Sequence, residues 1–389
     1  MLDPSLHDRL DALLADDDGR RARLYPATRL RRQPVHTVHV PADRFAGHTV
    51  AEWRSGALAA LDEHGPMPGV DEALEARVRD KLADEPIEDL RIDFADGYGL
   101  RSDADEDAAA RAAGTALGRG AQTPFVGLRI KSLEAATPHR AVCTLELFLE
   151  QLFAFGGLPA GFRVTVPAVT SVAQVEAMVE LCAAFESELA IARVPFELQL
   201  DSPQAVVGAD GTALLARMLH SGAGRCVGLT LDPAGFTAAA GGGPTDGSVA
   251  DHARAVLVLA TAGTGVPVSD GTAGMVPAGP RTQVHAAWSA HLALVRHALE
   301  AGFPQGRDVH PAQLPSRFAA TFAFYADGLD AAARAVAPSG ATSTVRVPAS
   351  TRSSARFLLR GLRCGALDEP DVRERCGLGT AELDVLAIA

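Results

Sequence analysis

The stretch FRVTVPAVTSVAQVEAMVELCAAFESELAIARVPFELQLDS, residues 162–202, contains one complete unit of the pattern that decides the fold. It begins and ends with short β-like runs, at 162–169 and 195–202. Between these runs apolar residues recur three and four positions apart, as in an amphipathic helix. Ser171 stands where an N-cap residue is expected. A strand, a helix and a second strand in this order predict parallel pairing of the two strands.

The same alternation continues on both sides of this unit. The further strand candidates are 34–42, 89–95, 124–132, 225–232, 264–270 and 303–311. Eight strands that alternate with helices over roughly 280 residues predict an α/β fold, a closed (β/α)₈ TIM barrel. A doubly wound open sheet is the alternative, but the Gly-x-Gly-x-x-Gly fingerprint of such sheets is absent after the first strand.

Composition changes along the chain predict how it is divided. The expected parts are an N-terminal helical segment (1–33), the barrel (34–336), a linker (337–354) and a C-terminal helical segment (355–389). The linker sequence, APSGATSTVRVPASTRSS, is rich in small and polar residues.

Composition also limits the class of function. Of the 389 residues 47% are hydrophobic, enough for a full core, and the net charge of −12 disfavours nucleic acid or an anionic membrane as a partner. No apolar run approaches the 18 or so residues of a membrane span. The five cysteines are far apart and form no C-x-x-C pair, which is typical of reduced thiols. We therefore expect a soluble, cytoplasmic protein that acts on small molecules.

Functional residues of a parallel barrel lie at the carboxyl ends of its strands. The polar residues at these predicted ends are Asp96, Arg129, Lys131, Asp201, Asp232, Asp270 and Asp308.

The loop DFADGYG (93–99) follows the second predicted strand. Its glycines, Gly97 and Gly99, permit a backbone path that approaches a ligand closely. A plain Asp-Gly turn is the alternative.

Two cations alternate on the third predicted strand, GLRIKS, so that Arg129 and Lys131 share one face. An arginine fixed on a strand is well shaped to hold a carboxylate through two parallel hydrogen bonds. A structural ion pair is the alternative for Arg129, and a Schiff-base role is a further hypothesis for Lys131.

Acidic residues end the fifth and sixth predicted strands. In FELQLDSPQ, Glu197, Gln199 and Asp201 share one face, which is costly unless they are paired or bind a ligand. Asp201 is the best candidate ligand for a hard divalent cation such as Mg²⁺, and a helix cap is the alternative. Asp232 precedes a proline, a common opening of a turn.

Taken in order, seven motifs resemble the HpcH/HpaI aldolase and citrate lyase β-subunit family of the phosphoenolpyruvate/pyruvate barrel superfamily, and most closely an actinobacterial branch of it. The motifs are DFADGYG, GLRIKS, RVTVPAV, FELQLDSPQ, RCVGLTLD, VSDGTAG and GRDVHPAQLP, between about residues 34 and 335. The resemblance implies a (β/α)₈ barrel, a homo-oligomer, and Mg²⁺ bound by a Glu and an Asp. It also implies an arginine that binds a 2-oxo acid or a CoA thioester, and carbon–carbon cleavage or condensation through an enolate.

The match to the family is uneven at the expected metal site. The first metal ligand, usually Glu, falls on Asp201, and the second, usually Asp, falls on Gly235. Asp232 is then the remaining candidate for the second ligand. Ala95 stands where the family has a Glu, and Arg307 stands where it has a Trp.

The sequence therefore predicts a carbon–carbon lyase with an atypical metal site, acting on a small carboxylate or acyl-CoA substrate. The catalytic candidates are Arg129, Asp96 and Asp308; the metal candidates are Asp201 and Asp232; the substrate-binding candidates are Arg129, Gly97, Gly99, Pro203, Asp270 and His310. The alternative is a catalytically impaired homologue that serves as a ligand-binding or assembly protein on the same barrel.

Overall fold

The computed structural model describes residues 5–26, 29–243, 247–271, 275–337 and 347–388. Each predicted strand is present and lies within its predicted segment. The strands are β1 (His36–Pro41), β2 (Asp89–Asp93), β3 (Phe125–Arg129), β4 (Phe162–Val166), β5 (Phe196–Leu200), β6 (Cys226–Leu231), β7 (Val268–Ser269) and β8 (Gly306–Asp308).

The strands form one parallel sheet in the order β7-β6-β5-β4-β3-β2-β1-β8. Since β1 pairs with both β2 and β8, the first and last strands are neighbours, as closure of a barrel requires. The N–H of Asp270, just after β7, donates to the carbonyl of Gln305, just before β8, at 2.8 Å. The predicted (β/α)₈ barrel is thus confirmed as a nearly closed barrel, and the open-sheet alternative is wrong.

Helices surround the barrel and extend beyond it. They are α1 (Ser5–Leu24), α2 (Thr49–His64), α3 (Glu72–Asp84), α4 (Asp103–Gly118), α5 (Pro138–Ala154), α6 (Val172–Glu188), α7 (Leu214–Ser221), α8 (Pro233–Ala239), α9 (Ser248–Thr261), α10 (Arg281–Glu300), α11 (Leu314–Val336), α12 (Ala349–Arg363), α13 (Glu369–Cys376) and α14 (Thr380–Ile388). Ser171 caps α6 through a capping box with Gln174, as the sequence predicts. In the part of the chain that is described, no helix combines the length and apolar character needed to cross a bilayer.

The barrel wall has its apolar side chains on the outside. Leu90, Leu128, Val164 and Leu198 are fully buried beneath the helices. The residues that alternate with them face the interior and are mostly polar: Thr37, His39, Asp89, Arg91, Asp93, Arg129, Arg163, Thr165, Glu197, Gln199, Thr230, Ser269 and Arg307. Bulky aliphatic residues usually fill this space, so the interior of this barrel is unusual.

Arg91 is the centre of that polar interior and is completely buried. Its Nε donates to Thr165 at 3.0 Å and to Glu197 at 3.1 Å, and its Nη1 pairs with Asp89. Burial alone would lower the pKa of Arg91, but the carboxylates of Asp89 and Glu197 outweigh burial and raise it. A charged Arg91 therefore links β2, β4 and β5 across the barrel.

The C-terminal helices pack on the helix that follows β8. The rings of Tyr325 on α11 and Phe357 on α12 lie 4.9 Å apart, centre to centre. Arg375 on α13 pairs with Asp330 on α11 at 2.5 Å. Helix α12 begins at Ala349, inside the segment predicted as a linker, and 338–346 of that segment lie outside the described residues.

Candidate active site at the barrel mouth

Arg129 ends β3 and points into the barrel, with only 3% of its side chain exposed. Its Nη1 donates to both oxygens of Asp93, at 3.1 and 3.3 Å, and its Nε donates to Gln199 at 2.9 Å. Its Nη2 donates to Asp96 at 2.7 Å. Burial would lower the pKa of Arg129, but Asp93 and Asp96 outweigh that effect and raise it. Arg129 is therefore a fixed positive charge.

The loop after β2 is organised by Asp93. One oxygen of Asp93 accepts the N–H of Ala95 at 2.8 Å, and the other accepts the N–H of Gly97 at 3.0 Å. A Cβ at position 97 would lie 2.6 Å from Asp93 Oδ2, so a larger residue there would displace the Asp93 carboxylate. Sequence analysis did not include Asp93 among the site residues, although the alternation of Asp89, Arg91 and Asp93 along β2 was a usable signal.

Asp96 is the exposed member of this group, with 86% of its side chain accessible. The part of it that is buried would raise its pKa, but the Arg129 guanidinium outweighs this and holds the pKa below its usual range. Asp96 is thus an ionised carboxylate between Arg129 and solvent.

Asp201 lies just beyond the end of β5. Its Oδ1 accepts from Gln199 Nε2 at 2.9 Å, and its Oδ2 accepts from the N–H of Ala168 at 3.0 Å. Ala168 has a φ of 52°, in the left-handed region that residues other than glycine seldom adopt. Burial, with a contribution from Asp232, raises the pKa of Asp201 above its ordinary value.

Asp232 lies beside Asp201 and caps α8. Its Oδ1 accepts from the N–H of Gly235 at 3.3 Å, and its Oδ2 accepts from Arg307 Nη2 at 3.4 Å. A Cβ at Gly235 would lie 3.6 Å from both Asp201 Cβ and Asp232 Cγ. The backbone at Gly235 therefore lies against both acids, so the two candidate metal ligands are near each other.

His39 on β1 and Arg307 on β8 complete the mouth. The side chain of Arg307 is 13% exposed, and that of His39 is partly buried. Burial lowers the pKa of His39 far below its usual range, and the guanidinium groups of Arg307, Arg129 and Arg91 lower it further. Sequence analysis missed His39, although it alternates with apolar residues along β1.

The structure separates Asp270 and Asp308 from this cluster. On β8, Arg307 points inward, so the next residue, Asp308, points outward, where Arg317 on α11 donates to it at 2.8 and 3.0 Å. Arg317 and His291 outweigh burial and keep the pKa of Asp308 very low.

Asp270 follows the inward-facing Ser269 and pairs with Arg254 on α9 at 3.0 Å, while burial raises its pKa. Neither acid faces Arg129, because successive residues of a strand point to opposite sides.

The other candidates have local structural roles. His310 caps a short 3₁₀ helix (Pro311–Gln313) by accepting the N–H of Ala312 at 3.2 Å, and burial lowers its pKa. Pro203 begins another 3₁₀ helix (Pro203–Ala205), and Gly99 has a φ of 74°. Lys131 turns towards α4 and pairs with Glu106 at 2.6 Å, away from Arg129.

The expected Mg²⁺ would have to bind at Asp201 and Asp232. Both oxygens of each carboxylate already accept hydrogen bonds from the protein, and one of the donors is the Arg307 guanidinium. Within the described ranges no three His, Cys, Asp or Glu side chains group together as metal ligands. Since a cation beside Asp232 would face a fixed positive charge, these residues do not fit a resident Mg²⁺ ion.

Known structures are similar to this chain mainly in fold. Malate synthase from Haloferax volcanii, in its lead(II) complex, has a TM-score of 0.53 and 12% identity over 91% of this chain and 98% of that chain. The same protein, native at 3 mM glyoxylate, has a TM-score of 0.52 and 11% identity over 93% and 100%. The citrate lyase β subunit from M. tuberculosis, complexed with oxaloacetate and magnesium, has a TM-score of 0.45 and 19% identity over 75% and 98%.

The two malate synthase structures, at 12% and 11% identity, are similar to this chain in fold alone. Membership of the actinobacterial aldolase branch stays a prediction. The comparison with curated proteins finds no match to this sequence. Residues 14–389 match the family described as "Domain of unknown function (DUF6986)", and the chain therefore belongs to that family.

Proposed function

We propose that this barrel is a carbon–carbon lyase or condensing enzyme that acts on a small 2-oxo acid or an acyl-CoA through an enolate. The observation that carries the proposal is Arg129, a buried guanidinium at the barrel mouth whose outermost partner, Asp96, is 86% exposed. A substrate carboxylate can replace Asp96 on Nη2 while Asp93 and Gln199 keep the guanidinium in place.

The malate synthase comparison supports this class of substrate. The similar Haloferax volcanii protein was crystallised with glyoxylate, which is a small 2-oxo acid. A barrel of the same type with an arginine fixed at its mouth suits a ligand of the same kind.

The proposed cleavage starts from a 4-hydroxy-2-oxo acid. A base takes the proton of the C4 hydroxyl, C4 and its oxygen become the carbonyl group of the departing aldehyde, and the C3–C4 bond breaks. The electron pair of that bond forms the C2–C3 enolate, with the charge on the C2 oxygen. Protonation at C3 then gives pyruvate or a homologue, and condensation is the reverse. We assign proton transfer to Asp201, because Gln199 hydrogen-bonds both to it and to Arg129 and because burial raises its pKa above the ordinary value.

An assay for pyruvate release tests this proposal. Purified protein is incubated with a panel of 4-hydroxy-2-oxo acids, and pyruvate is measured with a coupled lactate dehydrogenase. Arg129→Lys keeps the charge but loses the planar fork, so we expect kcat/KM to fall about 100-fold. Arg296→Gln, on the exposed face of α10, is the matched control and should not change the rate. If the wild type releases no pyruvate, or if kcat/KM of Arg129→Lys equals that of the wild type, the lyase proposal is wrong.

The alternative is a catalytically impaired homologue that binds a ligand or takes part in an assembly. It is favoured by the hydrogen bonds that already occupy the oxygens of Asp201 and Asp232. Saturable binding of pyruvate in calorimetry, with no turnover of the panel, would support this alternative. We also propose a homo-oligomer, which light scattering on the full chain would detect or exclude.

A further inference from the structure

We propose that Arg307 provides, at the mouth of this barrel, the fixed positive charge that a divalent cation would otherwise supply, so that an anionic ligand binds without metal. This inference rests on the proposed function for the class of ligand, a small 2-oxo carboxylate. It concerns the same mouth but a residue to which the resemblance gives no role.

Arg307 lies on β8, faces the interior of the barrel and contacts Asp232. Arg307 is paired in register with Thr37 on β1, whose side chain hydrogen-bonds to Asp89 inside the barrel, so both residues face inward. Its Nη2 reaches Asp232 at 3.4 Å, and Asp232 stands beside Asp201 across Gly235. The guanidinium thus lies at Asp232, one of the two acids that the sequence proposes as metal ligands.

The second step is the relation between Arg307 and Arg129. In the sheet, only β2 and β1 separate Arg129 on β3 from Arg307 on β8, and both side chains face inward, as does His39 on β1. Burial and the two guanidinium groups lower the pKa of His39. His39 between them stays neutral and adds no charge of its own. Two fixed guanidinium groups suit a ligand with a carboxylate at one end and a carbonyl oxygen at the other. Arg129 would bind the carboxylate, and Arg307 would face the oxygen on which enolate charge develops.

Arg307 and a metal ion would compete for Asp232. A guanidinium beside Asp232 offsets the charge that would attract Mg²⁺ and repels a cation placed there. Replacing Arg307 by an uncharged residue would leave Asp201 and Asp232 less neutralised. We therefore expect Arg307→Gln to bind Mg²⁺ more tightly than the wild type, while its affinity for an anionic ligand falls.

Calorimetry with oxalate tests the inference on the full-length protein. Oxalate is a small anion with adjacent oxygens, and each titration is run once with EDTA and once with excess MgCl₂. Because Mg²⁺ also forms a complex with oxalate in solution, the affinity is expressed for free oxalate, and we expect it to be the same for the wild type in both conditions. Arg307→Gln should weaken binding at least about tenfold, as expected for loss of a charged hydrogen-bond donor. Arg307→Lys should recover part of the loss, and Arg296→Gln should bind as the wild type does.

Three results would overturn the inference: no binding of oxalate, oxalate binding that requires Mg²⁺, and an Arg307→Gln variant that binds oxalate as the wild type does. The comparison of EDTA with MgCl₂ uses only the wild type, so it tests whether binding needs a metal even if Arg307→Gln does not fold, and Arg307→Lys then tests the role of the guanidinium. Oxalate binding that needs no metal and depends on Arg307, in a protein that cleaves no member of the substrate panel, would uphold the inference and refute the lyase proposal.

Discussion

At the scale of single residues, the mouth depends on Asp93, which orients Arg129 and the loop after β2. Its two oxygens accept from Arg129, Ala95 and Gly97. The sequence predicts that Asp93 and Ala95 share a face of the strand, but it does not show which arginine lies opposite. That partner comes from β3, and only the register of the barrel brings the two together.

Gly97→Ala tests whether the loop after β2 tolerates a displacement of the Asp93 carboxylate. The new Cβ would press on Asp93 Oδ2, which cannot move without weakening its bonds to Arg129 and Ala95. We expect the free energy of unfolding to fall by about 1–3 kcal/mol, the usual cost of overpacking, measured by urea denaturation. Gly47→Ala is the matched control, since a Cβ there meets no atom within 4 Å. Equal stabilities of the two variants would contradict this account of the loop.

His39 predicts a pH dependence of stability. Burial and the nearby Arg307, Arg129 and Arg91 lower its pKa in the folded state, whereas the unfolded chain takes up the proton near pH 6.5. The stability contribution of neutral His39 is therefore complete above about pH 6.5 and is lost as the pH falls towards the folded-state pKa, by at most about 1.4 kcal/mol per pH unit.

The measurement compares urea unfolding at about pH 7.5 and pH 5.5 in the wild type and in His39→Gln. Since glutamine does not titrate, the variant should lose less stability than the wild type over this interval. His252→Gln, at an exposed position of α9, is the matched control for the loss of a histidine. Parallel losses in all three proteins would mean that His39 does not remain neutral in the fold.

At the scale of strands and helices, the sequence pattern predicts the elements well and their orientation poorly. All eight strands lie in the predicted segments because alternation and turn residues are local signals. Asp96, Arg129, Asp201 and Asp232 lie at one edge of the barrel, since each stands at or just beyond the carboxyl end of a strand. Asp308 points outward, and because β8 is only three residues long, its sequence alone does not show which residue faces inward.

The strands are also held by the buried network of Arg91, and this can be measured. Arg91→Met leaves the Asp89 and Glu197 carboxylates without their main partner, so we expect a loss of about 3–5 kcal/mol in unfolding free energy. Glu197→Gln should also destabilise the protein, because Arg91 and Arg163 lose a charge partner.

The double variant Arg91→Met/Glu197→Gln removes one charge of each sign from the barrel interior. Its loss of stability should be smaller than the sum of the two single losses, which a double-mutant cycle by urea denaturation would show. Strict additivity would mean that the two side chains do not interact in the folded protein.

At the scale of the whole molecule, α11 joins the barrel to the C-terminal helices. Phe318 at its start lies against His36 of β1, and Tyr325 further along packs on Phe357 of α12. Arg363 at the end of α12 also bonds to the carbonyl of Leu30, in the segment before β1. The sequence predicts a linker of small and polar residues at 337–354, but it does not reveal how much apolar surface the barrel and the C-terminal helices bury against each other. We therefore expect the barrel and the C-terminal helices to unfold together.

Three buried cysteines report on this expectation. Cys182 lies on α6, Cys226 on β6 and Cys364 at the end of α12, and burial raises the pKa of each thiol to about 12. Because the thiolate is the reactive form, these cysteines should react with iodoacetamide only after unfolding. Pulsed labelling across a urea series, read by mass spectrometry, should give one midpoint for all three. Leu359→Ala, in the buried face of α12, should lower the three midpoints together, for a loss of about 2–5 kcal/mol. Labelling of Cys364 at lower urea than Cys182 and Cys226 would instead show that the C-terminal helices form a separate folding unit.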